Sequence, residues 1–458
     1  MADELILRGT RILTPNGISP GDIIIREGRI DQLLPFNSAT NITRLIDAAD
    51  HLVMPGVIDT HVHINDPGRE DWEGFETGTR AAAAGGITTI VDMPLNSIPA
   101  TTTVAALETK RRAAQGRLAA DVGFWAGLVP ANARDLEPLA REGVLGFKCF
   151  MVPSGVAEFD HVTERDLREA APILARLGLP LLVHAEHPAA LAEAPTIIPG
   201  RERRYASHLA SRPRAAEQRA IEQIIRLVDE FRVHAHIVHL SSADAIPALR
   251  AARRRGLPIT VETCPHYLTF AAEDIPDGAT QFKCAPPIRE RENRERLWTA
   301  LREGDIDLVA SDHSPSPPSG KCLDTGDFAR AWGGIASIQV SLAATWTAAA
   351  SRGCTQNDLA RWMCEAPARL AGLTTRKGRI AEGYDADLVI WNPDEEFVVR
   401  AKDLRHKHPL TAYEGISLRG TVERTILRGQ TVFERGKQST PGGAHSPAPG
   451  RCLQRGTS

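Results

Sequence analysis

Three features of this sequence predict an α/β fold: a barrel of parallel strands with an accessory β unit. The 458 residues exceed one ordinary domain but suit one large barrel with a smaller companion. Between residues 54 and 375, short apolar runs alternate with Ala/Arg/Glu-rich stretches, the pattern of βα units on a parallel sheet. Toward both ends the texture changes to β-branched, Gly-punctuated segments that read as small antiparallel strands.

Taken in order, strands are expected at 4–13, 21–26 and 29–33, before the barrel begins. Eight barrel strands follow, ending near Thr60, Asp92, Trp125, Phe150, His184, His239, Thr263 and Asp312, the number that closes a (β/α)8 TIM barrel. Helices separate them, among them 163–177, 214–231 and 243–255, and two more follow the last strand at 338–351 and 356–365. Strand texture returns at 387–391, 396–399 and 421–427. Residues 437–458 are rich in Gly, Pro and Ser and read as a disordered tail.

Composition narrows the function. Hydrophobic residues make up 42%, enough for a sizeable core, and 54 Lys plus Arg against 57 Asp plus Glu give no reason to expect nucleic acid as a partner. No apolar run reaches the roughly 18 residues that cross a bilayer, so no membrane partner is expected. The start, Met1-Ala2-Asp3-Glu4, lacks a basic, apolar leader, so the cytosol is the expected compartment. Seven scattered cysteines without a CxxC pair argue against a disulfide framework or a cysteine zinc site.

The chemistry starts at Asp59-Thr60-His61-Val62-His63. Side chains two apart on a strand share a face, so His61 and His63 point together into the barrel at the end where barrel enzymes place their sites. Neutral imidazole is a good ligand for zinc-like ions. Lys148, His184, His239 and Asp312 each follow an apolar run where a strand should emerge. Six polar groups at strand C-termini are hard to explain as satisfied core residues, because a buried charge is costly unless paired or metal-bound. Other histidines are read as structural: His234 and His236 on the face opposite His239, pointing away from the barrel axis, and His187, His208 and His51. His266, just past the seventh strand, is read either as lining the pocket or as packing.

These residues resemble the metal site of the cyclic amidohydrolases: allantoinases, hydantoinases, dihydropyrimidinases and dihydroorotases. The resemblance spans nearly the whole chain, including Met54-Pro55-Gly56-Val57-Ile58-Asp59 and Glu382-Gly383-Tyr384-Asp385-Ala386-Asp387-Leu388-Val389. It implies that the terminal segments, 1–53 and 376–436, join as one small β-sandwich beside a barrel of residues 54–375. It implies two divalent ions per subunit, zinc or else manganese, cobalt or iron. His61 and His63 would hold one, His184 and His239 the other, and Asp312 would complete the coordination of the first ion. An ammonium has no lone pair for a metal. The resemblance therefore implies that Lys148 carries a carbamate made from carbon dioxide (N6-carboxylysine), bridging both ions. Ions roughly 3.5–4 Å apart can hold a bridging water and activate it as hydroxide. Asp312 is then the expected general base and acid. Relatives of this kind imply a homotetramer.

Smaller differences select the ring. Dihydroorotases carry an arginine two residues after the histidine pair, where this chain has Asn65, which cannot supply a guanidinium fork. Hydantoinases and dihydropyrimidinases carry a tyrosine five residues after the modified lysine, where this chain has Pro153. Gly146-Phe147-Lys148-Cys149-Phe150, Glu262-Thr263-Cys264-Pro265-His266-Tyr267-Leu268, Lys283-Cys284-Ala285-Pro286-Pro287-Ile288-Arg289, Ser311-Asp312-His313-Ser314-Pro315 and the run 407–415 instead resemble the allantoinase branch. That branch implies hydrolysis of allantoin to allantoate. Such a neutral, polar ring needs placed hydrogen-bond partners rather than a charge clamp. Candidates are Ser314, the backbone at Cys284 and Ala285, Ser337 and Asn96, with Asp59 and Asp92 holding strand ends or histidines. The competing readings are a hydantoinase or dihydropyrimidinase with another ring preference, and a non-catalytic scaffold of the same fold, which loss of metal ligands would mark.

Overall fold

The computed structural model describes residues 4–39, 44–437 and 449–455. Three parallel strands, Val57–Val62, Ile87–Asp92 and Asp121–Phe124, pair in sequence order. Five more, Phe147–Phe150, Leu181–His184, Ala235–Ile237, Ile259–Thr263 and Leu308–Val309, continue the ring in the same sense. The seam between the two sets is bridged by Leu145 N donating to Phe124 O at 3.0 Å. The last strand meets the first where Val62 bridges His313 in parallel and His63 N donates to His313 O at 2.8 Å. All eight predicted barrel strands are therefore present, in order.

Two of them end early. The sixth stops at Ile237 and the eighth at Val309, before the histidine and aspartate that they were expected to carry. His239 and Asp312 both take left-handed backbone, with φ of 41° and 45°. Such a conformation costs a non-glycine residue on the order of 1–3 kcal/mol and concentrates at functional sites. Here it turns each side chain off the strand's alternation and toward the mouth.

The helices outside the ring follow from local chemistry. Glu164–Leu177 begins at a capping box between Thr163 and Asp166 and ends at Gly178 in the left-handed region. It buries Leu167, Ala170, Ala171 and Leu174, spacings that place all four on one face. A fully buried leucine contributes about 1.5–3 kcal/mol, so this face outweighs the weak propensity of Pro172 inside the helix.

Both chain ends share one eight-stranded sheet. Leu52–Pro55 pairs with Leu5–Thr14 on one side and with Leu388–Val398 on the other. The expected strands at 387–391 and 396–399 are one strand, whose pairing shifts between Asn392 and Glu396. Such irregularities bend a sheet. The resulting sandwich domain has its own apolar core, including Leu7, Ile23, Val53, Leu388 and Ile426. Lys377 joins it to the barrel, its Nζ donating to Asp121 at 2.9 Å and also to Asp387.

The expectation of a disordered tail over 437–458 is corrected in part. Residues 438–448 and 456–458 lie outside the described residues. Residues 449–455, however, run beside the third barrel strand. Gly450 N donates to Leu118 O at 2.9 Å and Leu453 N to Val122 O at 2.8 Å. Gly450 permits that approach, since a Cβ there would sit 2.2 Å from Ala120 O. Composition alone weighs the Pro and Gly but not these specific contacts. Among the described residues no helix is long and apolar enough to cross a membrane.

Candidate active site

The strand ends bring the predicted residues to one place. The nearest ligand atoms of His61, His63 and Asp312 all lie within 4.8 Å of one another, and all three residues are buried. Asp312 Oδ1 is 3.3 Å from His61 Nε2 and 3.6 Å from His63 Nε2. The rings of His184 and His239 are 4.6 Å apart, and His239 is 5.4 Å from His61. These five residues line one cavity of about 270 Å³ at the barrel mouth. Lys148 lies in the same cluster, fully buried, and its Nζ has no hydrogen-bond partner among the described residues.

Burial sets the protonation of the group. It pulls His184 down to about 4 and His63 and His239 well below their ordinary value, so the imidazoles stay neutral and keep lone pairs for a cation. It pulls Lys148 down to about 8, against the attraction of Glu262 and Asp312. Burial raises Asp312, and the nearby His61 only partly offsets it. Unpartnered buried donors and acceptors are rare, and here they converge on one point. A donor set of imidazole nitrogens with carboxylate-type oxygens fits a divalent cation.

His61 and His184 are held from behind by carboxylates, and His63 by a backbone carbonyl. Glu262 Oε1 accepts from His61 Nδ1, and the backbone N of His239 donates to the same oxygen at 3.2 Å. Glu186 Oε2 accepts from His184 Nε2 at 2.7 Å and is itself held by Arg212. His63 Nδ1 meets Leu95 O at 3.2 Å. These contacts fix each ring and leave its other nitrogen free to face the site. Burial alone would raise Glu262 and Glu186, but His61 and Arg212 respectively outweigh it and hold both carboxyls well below the usual range.

Neither glutamate was singled out in the sequence. The signal was present: a charged residue inside the apolar strand run at Glu262, and another two positions after His184. Asp59 and Asp92 hold strand ends instead. Asp59 Oδ1 accepts from Ser311 N at 3.1 Å, tying the eighth strand to the first. Asp92 accepts from Ile64 N at 2.8 Å and from the buried Lys110 at 2.7 Å.

The direction expected for His236 and His234, away from the barrel axis, is corrected. His236 is fully buried, and its Nε2 donates to Glu262 Oε2 at 3.0 Å. Its Nδ1 meets Thr260 Oγ at 2.8 Å, and His234 Nε2 meets the same hydroxyl at 2.9 Å. A hydrogen-bonded column thus runs inside the barrel, from His234 through Thr260, His236 and Glu262 to His61. Alternation failed as a guide because the positive φ at His239 brings that side chain to the same side as His236.

The substrate-side candidates divide. Ser314, Asn96 and Ala285 line the cavity, as does Pro153 in the tyrosine's place. Asn96 Nδ2 donates to Asn65 Oδ1 at 2.9 Å. Cys284 and Ser337 lie behind the wall. The Cys284 carbonyl meets His208 Nε2 at 3.1 Å, while Ser337 Oγ donates to Ser311 O at 3.2 Å. The backbone of Gly334 crosses Ser314 so closely that a Cβ there would lie 2.3 Å from the Ser314 carbonyl. His266 sits behind the wall too, fully buried beside Cys264 and Asp312.

Comparison with known proteins places this geometry. Residues 52–432 match the amidohydrolase family. The allantoinase of Streptomyces avermitilis is 49% identical over 444 residues, covering 96% of this chain and 98% of that protein. The Arabidopsis thaliana allantoinase is 44% identical, covering 96% and 90%. The solved L-hydantoinase of Arthrobacter aurescens superposes with a TM-score of 0.90 at 31% identity, covering 99% of this chain and 100% of that one. On this sequence likeness, carried across both the barrel and the composite sheet, the chain belongs to the amidohydrolase family and within it to the allantoinases.

Proposed function

We propose that this chain hydrolyses a ring amide of allantoin to give allantoate, at a pair of divalent cations in the barrel mouth. In this reading His61, His63 and Asp312 would hold one cation and His184 and His239 the other, and Lys148, as a carbamate, would add oxygen donors to the site. The observation that carries it is the buried convergence of His61, His63 and Asp312 within 4.8 Å on a cavity that His184 and His239 complete. Zinc suits these donors, as do manganese, cobalt and iron.

Lys148 supports the reading by its setting. A buried amine without a partner, with its pKa pulled down to about 8, keeps a free lone pair near neutral pH more often than an exposed lysine does. That lone pair attacks the carbon of carbon dioxide, an N–H proton leaves to solvent, and the product is an anionic carbamate. Divalent ions held there would supply Lewis acidity to a ring carbonyl and to the attacking water. Asp312 takes the proton of the attacking water and returns it to the ring nitrogen as the C–N bond breaks. Its burial strengthens it as a base. Glu262 and Glu186 keep the His61 and His184 rings in one orientation throughout. Ser314, Asn96 and the backbone at Ala285 offer hydrogen-bond partners to the ring and the ureido arm. Phe150, stacked on His184 at 4.5 Å, excludes water from one wall.

The test is the rate of allantoate formation by purified protein supplied with divalent metal. Asp312→Ala is expected to lower that rate about 10²–10⁴-fold, the usual worth of a positioned base. No turnover in protein shown by elemental analysis to hold two ions sinks the allantoin assignment. Hydantoins and dihydropyrimidines are then the next substrates.

A further inference from the structure

We propose that Cys264, His266 and Asp312 form a second cation site, selective for thiophilic divalent ions such as zinc or cadmium. Filling it inhibits the enzyme by drawing Asp312 away from the reaction. The inhibition rests on the role given to Asp312 above; the binding does not.

Two pieces of chain meet there. Cys264 follows the seventh barrel strand, the one-turn helix Pro265–Thr269 carries His266, and Asp312 follows the eighth strand. A sulfur, a ring nitrogen and a carboxylate oxygen from these residues all lie within 4.8 Å of one another. Cys264 and His266 are both 0% exposed. Neither ring nitrogen of His266 has a hydrogen-bond partner among the described residues. Leaving a buried polar atom unsatisfied costs about 1–3 kcal/mol, so an imidazole with both nitrogens bare calls for a ligand. The ring is held in place, packed edge-on to Tyr267 at 4.2 Å, whose hydroxyl donates to Pro286 O at 2.7 Å.

The donor set differs from that of the mouth in one atom type. His61, His63, His184 and His239 offer nitrogen and Asp312 offers oxygen, a combination open to manganese and cobalt. A thiolate favours softer ions. As the Sγ–metal bond forms, the thiol proton leaves to solvent, so thiolate and carboxylate together balance a doubly charged ion. Asp312 belongs to both groups of residues. A carboxylate bound toward Cys264 no longer faces the water that it must deprotonate.

Protein loaded with manganese and freed of excess metal is titrated with cadmium ion. Thiolate-to-cadmium absorption in the ultraviolet and allantoate formation are followed in the same samples. The background carries Cys322→Ser, Cys354→Ser and Cys452→Ser, which removes the partly exposed thiols. Absorption is expected to saturate at one equivalent as turnover disappears. Cys264→Ser and Cys264→Ala should both lose the absorption and keep turnover in cadmium, and His266→Gln should weaken cadmium binding about 10–100-fold. Unchanged absorption in both Cys264 variants overturns the site. Saturation without loss of turnover overturns the inhibition. Should the parent protein lack turnover before cadmium is added, the allantoin reading fails, while the absorption titration still decides the site.

Discussion

Two lysines lie buried at opposite ends of the barrel, Lys148 at the mouth with 0% exposure and Lys377 at the junction with the sandwich with 4%. Lys377 donates to Asp121 and Asp387, and Arg428 adds a further contact to Asp121. Burial works against its charge, but the carboxylates outweigh that and hold its ammonium above the ordinary range. Lys148 has no such partner among the described residues, and burial pulls it down to about 8. The same side chain at similar depth is thus a locked cation in one place and a free amine in the other. The lesson is that depth does not determine a buried lysine's role; its partners do.

Substitution separates the two. Lys148→Met is expected to remove activity by more than the roughly 10–100-fold typical of an outer partner of a metal site, and to lower bound metal, while leaving thermal unfolding nearly unchanged. Lys377→Met should do the reverse. It strands buried carboxylates and costs about 3–5 kcal/mol of stability, with specific activity retained in the folded fraction. Denaturant melts and metal analysis of the two variants test the contrast directly, and equal losses of stability would break it.

A smaller effect is expected behind the mouth. Glu262→Gln removes the charge that holds both His61 and His236, and should weaken metal affinity about 10–100-fold. The hydrogen-bonding shape of the column is largely retained, so stability should move less than in Lys377→Met. Metal titration beside a thermal melt reads both quantities.

The smallest effect is one of pH. Burial pulls His208 down to about 3 and His406 to about 4, both from 6.5. Below pH 6.5 the unfolded chain takes up these protons while the folded chain does not. Stability from each is therefore complete above 6.5 and is lost as pH falls through the window toward the folded values, by about 1.4 kcal/mol per pH unit for each histidine. Melting temperature of metal-free protein, followed from pH 7.5 to 5, should decline more gently in His208→Gln. An unchanged slope would remove His208 from this account.

The barrel was legible because its strands are short apolar runs, most of them closed by a polar residue, and the mouth because those polar residues share a level. His61, His63 and His184 needed only strand ends to be found. What alternation could not reveal was the backbone turn at His239, and with it the inward direction of His236. Glu186 and Glu262 were missed for a related reason: a carboxylate is read as a surface residue until the arginine or histidine that pairs with it is known. Residues 449–455 escaped because their docking depends on the shape of a surface made elsewhere in the chain.

The composite sheet bears on how the protein is made. Leu52–Pro55 emerges early but lacks its second neighbour until Leu388–Val398 follows, roughly 330 residues later, a delay of about 15 seconds to a minute at ordinary rates of synthesis. Throughout that interval one edge of an apolar strand is open to pairing with whatever lies near, including other nascent copies. The N-terminal part of the sheet is consequently the segment most exposed to misassembly during translation, and the last strands to arrive act as its closure.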